Sequence, residues 1–381
     1  MASRDSLGEV FRVSIFGESH GPGVGALVTG APPGLEVDEE YINRELERRR
    51  PGGPYASPRR EADRVEILSG VFRGRTTGAP ILLFIRNVDV KPGFYEEFRY
   101  KPRPGHADYV AYERYLGHQD YRGGGVFSGR RTAALVAAGA IAKLVLSKYG
   151  VRVYAYVKSI GGVEARVEPR DSEEFRRAID SDPLKCPDPE ASERMRRLVE
   201  EARREGDSLG SVVEAAAFNV PPGLGDPPLG GVDSLLARAV IAIPAAKAIE
   251  FGDGFALARM RGSEAHDSPR AAGGRIVHES NRSGGIVGGL TNGMPIVFRV
   301  AFKPPSSIPK PRRTVDLRSL QDTLVSGRGR HDPVIGPRAA PVVEAVTAIV
   351  LADLLLLREA LLPGWVEDLR PWRRGVSGGE D

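Results

Sequence analysis

The 381-residue chain has a single cysteine, Cys186, which excludes an internal disulfide and any metal cluster built on cysteine. No uninterrupted apolar run reaches the roughly 18 residues that a membrane span requires. The nearest candidate, Ala345 to Leu357, carries Asp353 and reads as a buried helix. The N-terminus lacks a charged-then-apolar signal pattern, so the chain is expected to work in the cytoplasm, away from membranes. Lysine is scarce: nine of the 54 basic residues are lysine and the rest are arginine. The 50 acidic residues nearly balance them, and no basic stripe interleaves with aromatics, which argues against a nucleic-acid partner. No His-x-x-x-His pair or carboxylate cluster has metal-ligand spacing, so no metal is expected. Long polar linkers, low-complexity tracts and repeats are missing too.

What remains is an ordinary globular composition, 41% hydrophobic and 27% charged. Residues 10–16 alternate as a strand, and Asp38 can cap a helix that Pro51-Gly52-Gly53 stops. Strand patterns follow at 64–72, 80–87, 151–158, 211–219 and 294–302. Helices are expected over 107–116, 131–148, 188–205 and 340–361, with another over 233–249 interrupted by Pro244. Strands and helices do not alternate regularly, which argues against a doubly wound sheet. Residues 1–370 therefore read as one α+β unit, and 371–381 as a disordered tail.

Three of the six histidines lie in glycine-bearing loops with an acidic residue beside them or two positions away. The segments are Phe16-Gly17-Glu18-Ser19-His20-Gly21, Arg103-Pro104-Gly105-His106-Ala107-Asp108 and Gly329-Arg330-His331-Asp332-Pro333. Histidine gives and takes protons near neutrality, glycine lets backbone approach a ligand, and loops carry function. Together they point to one composite site. His118, His266 and His278 lack this setting and read as surface or structural.

Arginine gathers in the same kind of segment. Arg48-Arg49-Arg50 ends a helix and Arg59-Arg60 follows closely, five cations suited to bidentate anion binding as well as to the helix dipole. Gly123-Gly124-Gly125-Val126-Phe127-Ser128-Gly129-Arg130 precedes an apolar helix, where Ser128 can cap and free N–H groups can take an anion. Gly284-Gly285, Gly288-Gly289 and Lys303-Pro304-Pro305-Ser306-Ser307 are further loops of this type. Gly21-Pro22-Gly23-Val24-Gly25-Ala26 fits the dinucleotide fingerprint, but Gly30-Ala31-Pro32-Pro33-Gly34 leaves no room for the helix that fingerprint needs.

The motifs Phe-Gly-Glu-Ser-His-Gly (16–21), Arg-Arg-Arg-Pro-Gly (48–52), Arg-Pro-Gly-His-Ala-Asp-Tyr (103–109), Asp-Tyr-Arg-Gly-Gly-Gly (120–125), Lys-Pro-x-Ser-Ser (303–307) and Gly-Arg-His-Asp-Pro (329–333) resemble, in order and spacing, the chorismate synthase family. The resemblance runs from about residue 7 to 361. It implies a β-α-β sandwich with helices between two antiparallel sheets, and a homotetramer. It implies a lyase that uses reduced FMN to eliminate phosphate, in the anti-1,4 sense, from 5-enolpyruvylshikimate 3-phosphate, giving chorismate in the shikimate pathway. His20 would then protonate the phosphate and His106 would act as acid near the reduced flavin. Asp332 would assist proton removal, with Ser19 and Ser128 relaying protons. Arg49, Arg130, Arg338 and Arg330 would hold anionic groups, Arg330 on the flavin side. Val126, Phe127, Ser128, Gly288 and Lys303 to Ser307 would meet FMN. NADPH would enter only indirectly as reductant, through the chain itself or a separate flavin reductase. The alternatives are an inactive relative that keeps the pocket and a relative with the same pocket that reduces its own flavin with NAD(P)H. The chain departs from the pattern in three places: Pro54, where an arginine is frequent and the chain is one residue shorter; Val126-Phe127-Ser128-Gly129-Arg130, where Arg-Ser-Ser-Ala-Arg is common; and Val334, in place of a frequent cysteine.

Overall fold

The computed structural model describes residues 5–50, 55, 63–89, 92–327 and 332–362. Two five-stranded sheets form its outer layers. In the first, the spatial order is Ser6–Leu7, Arg12–Gly17, Gly23–Thr29, Ile81–Arg86 and Val65–Ser69, antiparallel throughout. In the second it is Ala246–Phe251, Ile296–Phe302, Ser211–Phe218, Arg152–Ile160 and Val163–Glu164, again antiparallel. Helices Thr132–Ser147 and Gly336–Leu361 lie between them, each packed on the other and on a sheet. A helix apolar on every side must be covered on every side, and these two are. They cross closely at Gly139, where an added Cβ would fall 2.4 Å from that of Ala345. The α+β class read from the residues and the β-α-β sandwich that the resemblance implied are the observed architecture.

Helix Gly336–Leu361 is longer than its sequence pattern indicated, and long and apolar enough to cross a membrane by length and composition alone. It is the central core helix, 89% of its most apolar window being buried within the protein. Its acid, Asp353, is used: the carboxylate accepts the backbone N–H groups of Glu9, Val10 and Phe11 at 2.7–3.0 Å, strapping the N-terminal segment to the core. Asp353→Ala leaves buried N–H donors without a partner, so it should cost about 2–4 kcal/mol, read as a shift in the denaturant midpoint.

Two sequence expectations change. The helix expected over 233–249 ends at Ile241, because Pro244 can neither donate to nor fit inside a continuing helix. Ala246–Phe251 becomes an edge strand paired with Ile296–Phe302, and the turn between enters the functional cavity. Helix Glu173–Ser181, capped by Ser172, has no counterpart among the sequence expectations. The glycines of the dinucleotide-like fingerprint begin strand Gly23–Thr29, where a Cβ at Gly23 or Gly25 would strike the rings of Phe84 or Phe16. They serve sheet packing.

Candidate active site

A cavity of about 560 Å³ opens where the loops at one end of the sandwich converge. One wall is apolar: Ile241 to Ala246 from the turn that replaced the expected helix, with Ile335, Ala339 and Val342 of the long helix. Much of the remaining lining is polar, with Arg49, Arg103, His106, Arg130, Lys303, Ser306, Ser307, Asp332 and Arg338. These side chains come from segments more than 280 residues apart, joined only by the fold.

His106 is the best-defined proton carrier. Its Nδ1 lies 2.7 Å from Asp108 Oδ1 and 3.2 Å from Arg103 Nη2. The shorter contact decides the tautomer: two lone pairs would repel at that distance, so Nδ1 carries the hydrogen and donates to Asp108. Nε2 then faces Gly124, where an added Cβ would lie 3.3 Å away. Arg103 clasps Asp108 through Nε (2.8 Å) and Nη2 (2.9 Å), and donates to Ser307 Oγ. Burial pushes the His106 imidazole below its ordinary pKa; Asp108 pulls it up, and Arg103 and Lys303 add to the depression. Asp108 is itself buried, yet hydrogen bonds from Arg103 and His106 hold it well below the usual carboxylate range.

His20 stands behind the cavity wall. Ser19 Oγ donates to Arg122 O at 3.0 Å, so the equal contact to His20 Nδ1 has the ring N–H donating to the hydroxyl. The His20 ring meets buried Tyr95 edge-on, with centroids 4.9 Å apart. Tyr95 lines the cavity and also lies beneath the Arg103 guanidinium, linking the two histidine stations. Between His20 and the cavity is Gly123, with φ +60°, where a Cβ would sit 2.4 Å from Ser19 Oγ and 2.5 Å from His20 Nδ1. Gly123→Ala should displace that pair and reduce turnover at least about tenfold, with the strained backbone costing about 1–3 kcal/mol. Steady-state rates and a melting curve on the same preparation read both.

The arginines are held in place. Arg49 donates to Thr132 Oγ1 (3.2 Å), Asp63 Oδ2 (3.1 Å) and Gly129 O (2.7 Å). Arg130 reaches Asn87 Oδ1 (2.8 Å), Arg86 O (3.0 Å) and Asp63 Oδ1. Arg338 binds Asp332 at 2.6 Å and Arg49 O at 3.3 Å. Burial lowers the Arg49 pKa to about 9, with Arg338 and Arg130 adding repulsion and Asp63 opposing it.

A family model described as chorismate synthase matches residues 11–356. A relative from Aeropyrum pernix bearing that name is 94% identical over the whole of both chains. One from Thermococcus kodakarensis is 51% identical over 93% of this chain and 98% of its own. The chain belongs to the chorismate synthase family. A solved structure described as a crystal structure of chorismate synthase superposes with a TM-score of 0.71 at 35% identity, covering 94% of each chain. Membership makes the chain a lyase of the shikimate pathway that acts on 5-enolpyruvylshikimate 3-phosphate with a flavin cofactor.

Of the residues that the chorismate synthase resemblance singled out, His106, Val126, Phe127, Ser128, Arg49, Arg130, Asp332, Arg338 and Lys303 to Ser307 all line the cavity. Ser128 caps the turn Gly129–Arg131 that leads into the core helix, its Oγ accepting the Arg130 N–H at 3.2 Å. Gly288 lies in a hairpin turn between Ile286–Val287 and Leu290–Thr291 and is not part of the lining. Arg330, His331, Arg59, Arg60 and Pro54 fall outside the described residues, as does the tail from 371. The arginine cluster at 48–50 divides: Arg49 faces the cavity, Arg48 turns to buried carboxylates, and Arg50 pairs with exposed Glu47. Val334, where the family often has cysteine, is buried in an apolar cluster with Cys186. Sequence reasoning missed Asp63, Asn87, Tyr95 and the 241–246 wall. Pro244 was the one local signal, since a proline so placed breaks a helix into a loop.

Proposed function

We propose that this cavity converts 5-enolpyruvylshikimate 3-phosphate to chorismate and phosphate by anti-1,4-elimination, with FMN in the reduced state. The observation that carries the reading is the convergence of Arg49, Arg130 and Arg338, His106 and an apolar wall on one cavity, with His20 directly behind it. A phosphate leaving group needs charge neutralisation and a proton donor. The apolar turn 241–246 suits a flat ring, and Lys303, Ser306, Ser307 and Arg103 offer donors for its polar edge and phosphate. Reduced FMN held there would supply electron density to the allylic system, with no net change of oxidation state.

The protein's own share is binding and proton handling. Arg49, Arg130 and Arg338 receive the phosphate and carboxylates. His20, oriented through Nδ1 by Ser19, offers Nε2 to the departing phosphate. His106 holds a proton on Nε2 when an anion beside it offsets the cost of burial. Asp332, steadied by Arg338, would help remove the proton that the flavin gains, and Ser128 would relay protons. Residues 1–370 act as one catalytic unit in the cytoplasm, assembled as a homotetramer. NADPH serves only as the distant source of electrons, through the chain or a separate flavin reductase.

The test is anaerobic. Photoreduced FMN and substrate are mixed with the purified protein, and chorismate absorbance is followed beside released phosphate. Equal amounts of both, with FMN still reduced at the end, are expected. Binding of both ligands without product would overturn the catalytic reading in favour of an inactive relative.

A further inference from the structure

Asp63 belongs to none of the motifs above, yet it occupies the centre of the arginine wall. Its carboxylate is fully buried and faces Arg49 with one oxygen and Arg130 with the other. The backbone there has φ +44°, a conformation that aspartate tolerates better than most residues. Burial disfavours its charge, but the two guanidiniums outweigh that and keep it ionised below the ordinary carboxylate range.

Position alone does not require this carboxylate. Arg49 is also held by Thr132 Oγ1 and Gly129 O, and Arg130 by Asn87 Oδ1 and Arg86 O, all neutral acceptors. What Asp63 adds to them is a negative charge shared by both guanidiniums. Without it, the Arg49–Arg130 pair would face the cavity with one negative charge fewer, and Arg338 is close enough to Arg49 to add its own repulsion. Such a wall binds a dianion tightly, because charges attract strongly where water is excluded. An enzyme that expels phosphate gains nothing from holding it.

We propose that Asp63 is a positioning residue that sets the charge of the Arg49–Arg130 pair, weakening its hold on free phosphate so that the product leaves. The inference rests on the reading that these arginines receive the substrate's anionic groups. It assigns the residue no proton transfer and no contact with the reacting atoms.

Asp63→Asn keeps the size and one acceptor oxygen while removing the charge. Inorganic phosphate is titrated into wild type and variant by calorimetry at low ionic strength, and product inhibition by phosphate is measured beside it. The variant should bind phosphate about tenfold more tightly, and kcat should fall while KM for the phosphorylated substrate falls or holds. A purely structural role would weaken binding of both. If the variant is too unstable to titrate, melting temperatures with and without phosphate serve instead: phosphate should raise that of the variant by more than that of wild type. Equal or weaker phosphate binding by a folded variant, with wild type binding normally, overturns this inference alone. Failure of the wild type to bind either phosphate or the phosphorylated substrate overturns the reading of the cavity and this inference together.

Discussion

His106→Ala should slow chorismate formation by roughly 100- to 10,000-fold, the range over which a positioned acid or base acts, while leaving substrate affinity nearly intact. The split is expected because the anion-binding side chains Arg49, Arg130 and Arg338 do not touch His106; they hang on Asp63, Asp332 and backbone carbonyls. Single-turnover rates with enzyme in excess, set beside equilibrium titration of substrate, separate the two quantities. Loss of binding in step with rate would mean that His106 serves the shape of the pocket and not the proton.

Asp108→Asn tests the same station more finely. In wild type the Nδ1–H donates to Asp108 whether or not Nε2 is protonated, so the ring keeps one orientation through the cycle. An asparagine can turn its NH₂ toward Nδ1, which places the neutral ring's hydrogen on Nε2 and penalises the doubly protonated form. It also removes the one group that raises the imidazole pKa, leaving burial, Arg103 and Lys303 to lower it. Because the acid form is the one required, activity falls as pH rises through this pKa. The basic limb of the kcat profile should therefore move to lower pH in the variant, with a rate between wild type and His106→Ala.

How far the sequence revealed all this depends on the range of the cause. The caps, helices and strands that follow from local pattern were legible: Asp38 does cap helix Glu39–Arg49, and residues 131–148 do form the buried helix. The loops bearing His20, His106 and Asp332 were legible too, since residue type and glycine context alone mark them. Asp63 was not, because nothing around it differs from any charged stretch before a strand; only the arrival of Arg49 and Arg130 from opposite sides gives it meaning. The apolar wall was hidden for another reason. Residues 241–246 continue a helical apolar run in composition, and a proline together with pairing to Ile296–Phe302 overrides it. The division of the Arg48–Arg50 cluster was likewise invisible, because consecutive residues on a helix point in different directions toward partners that only the fold supplies.

Glu344 is where those partners have the largest consequence for stability. Its carboxylate is fully buried on the core helix and accepts from Arg48 at 2.9 and 3.0 Å, from Arg176 twice at 2.9 Å, from Lys143, and from the Ala155 N–H at 3.2 Å. Glu45 and Asp180 join the cluster, and Lys185 reaches Asp180 at 3.5 Å, so four cations meet three carboxylates, with a strand N–H joined to them. Burial opposes the charge on Glu344, but Arg176, Arg48 and Lys143 outweigh it and hold its pKa well below the ordinary range. Glu344→Gln leaves Arg48, Arg176 and Lys143 without the carboxylate they share, and breaking such a set from one side costs about 3–5 kcal/mol. The sign of the pH effect follows from the depressed pKa: the stabilisation is complete above the ordinary carboxylate range and lost as pH falls through the folded value. Wild type should therefore lose stability steeply on acidification, and the variant, already weakened at neutral pH, should lose less. Arg48 adjoins Arg49, so the same substitution loosens the helix end that presents Arg49 to the cavity, and affinity for phosphate should drop along with the melting temperature. Denaturant midpoints for both proteins between acid and neutral pH decide it: parallel curves would show that Glu344 carries no special charge role.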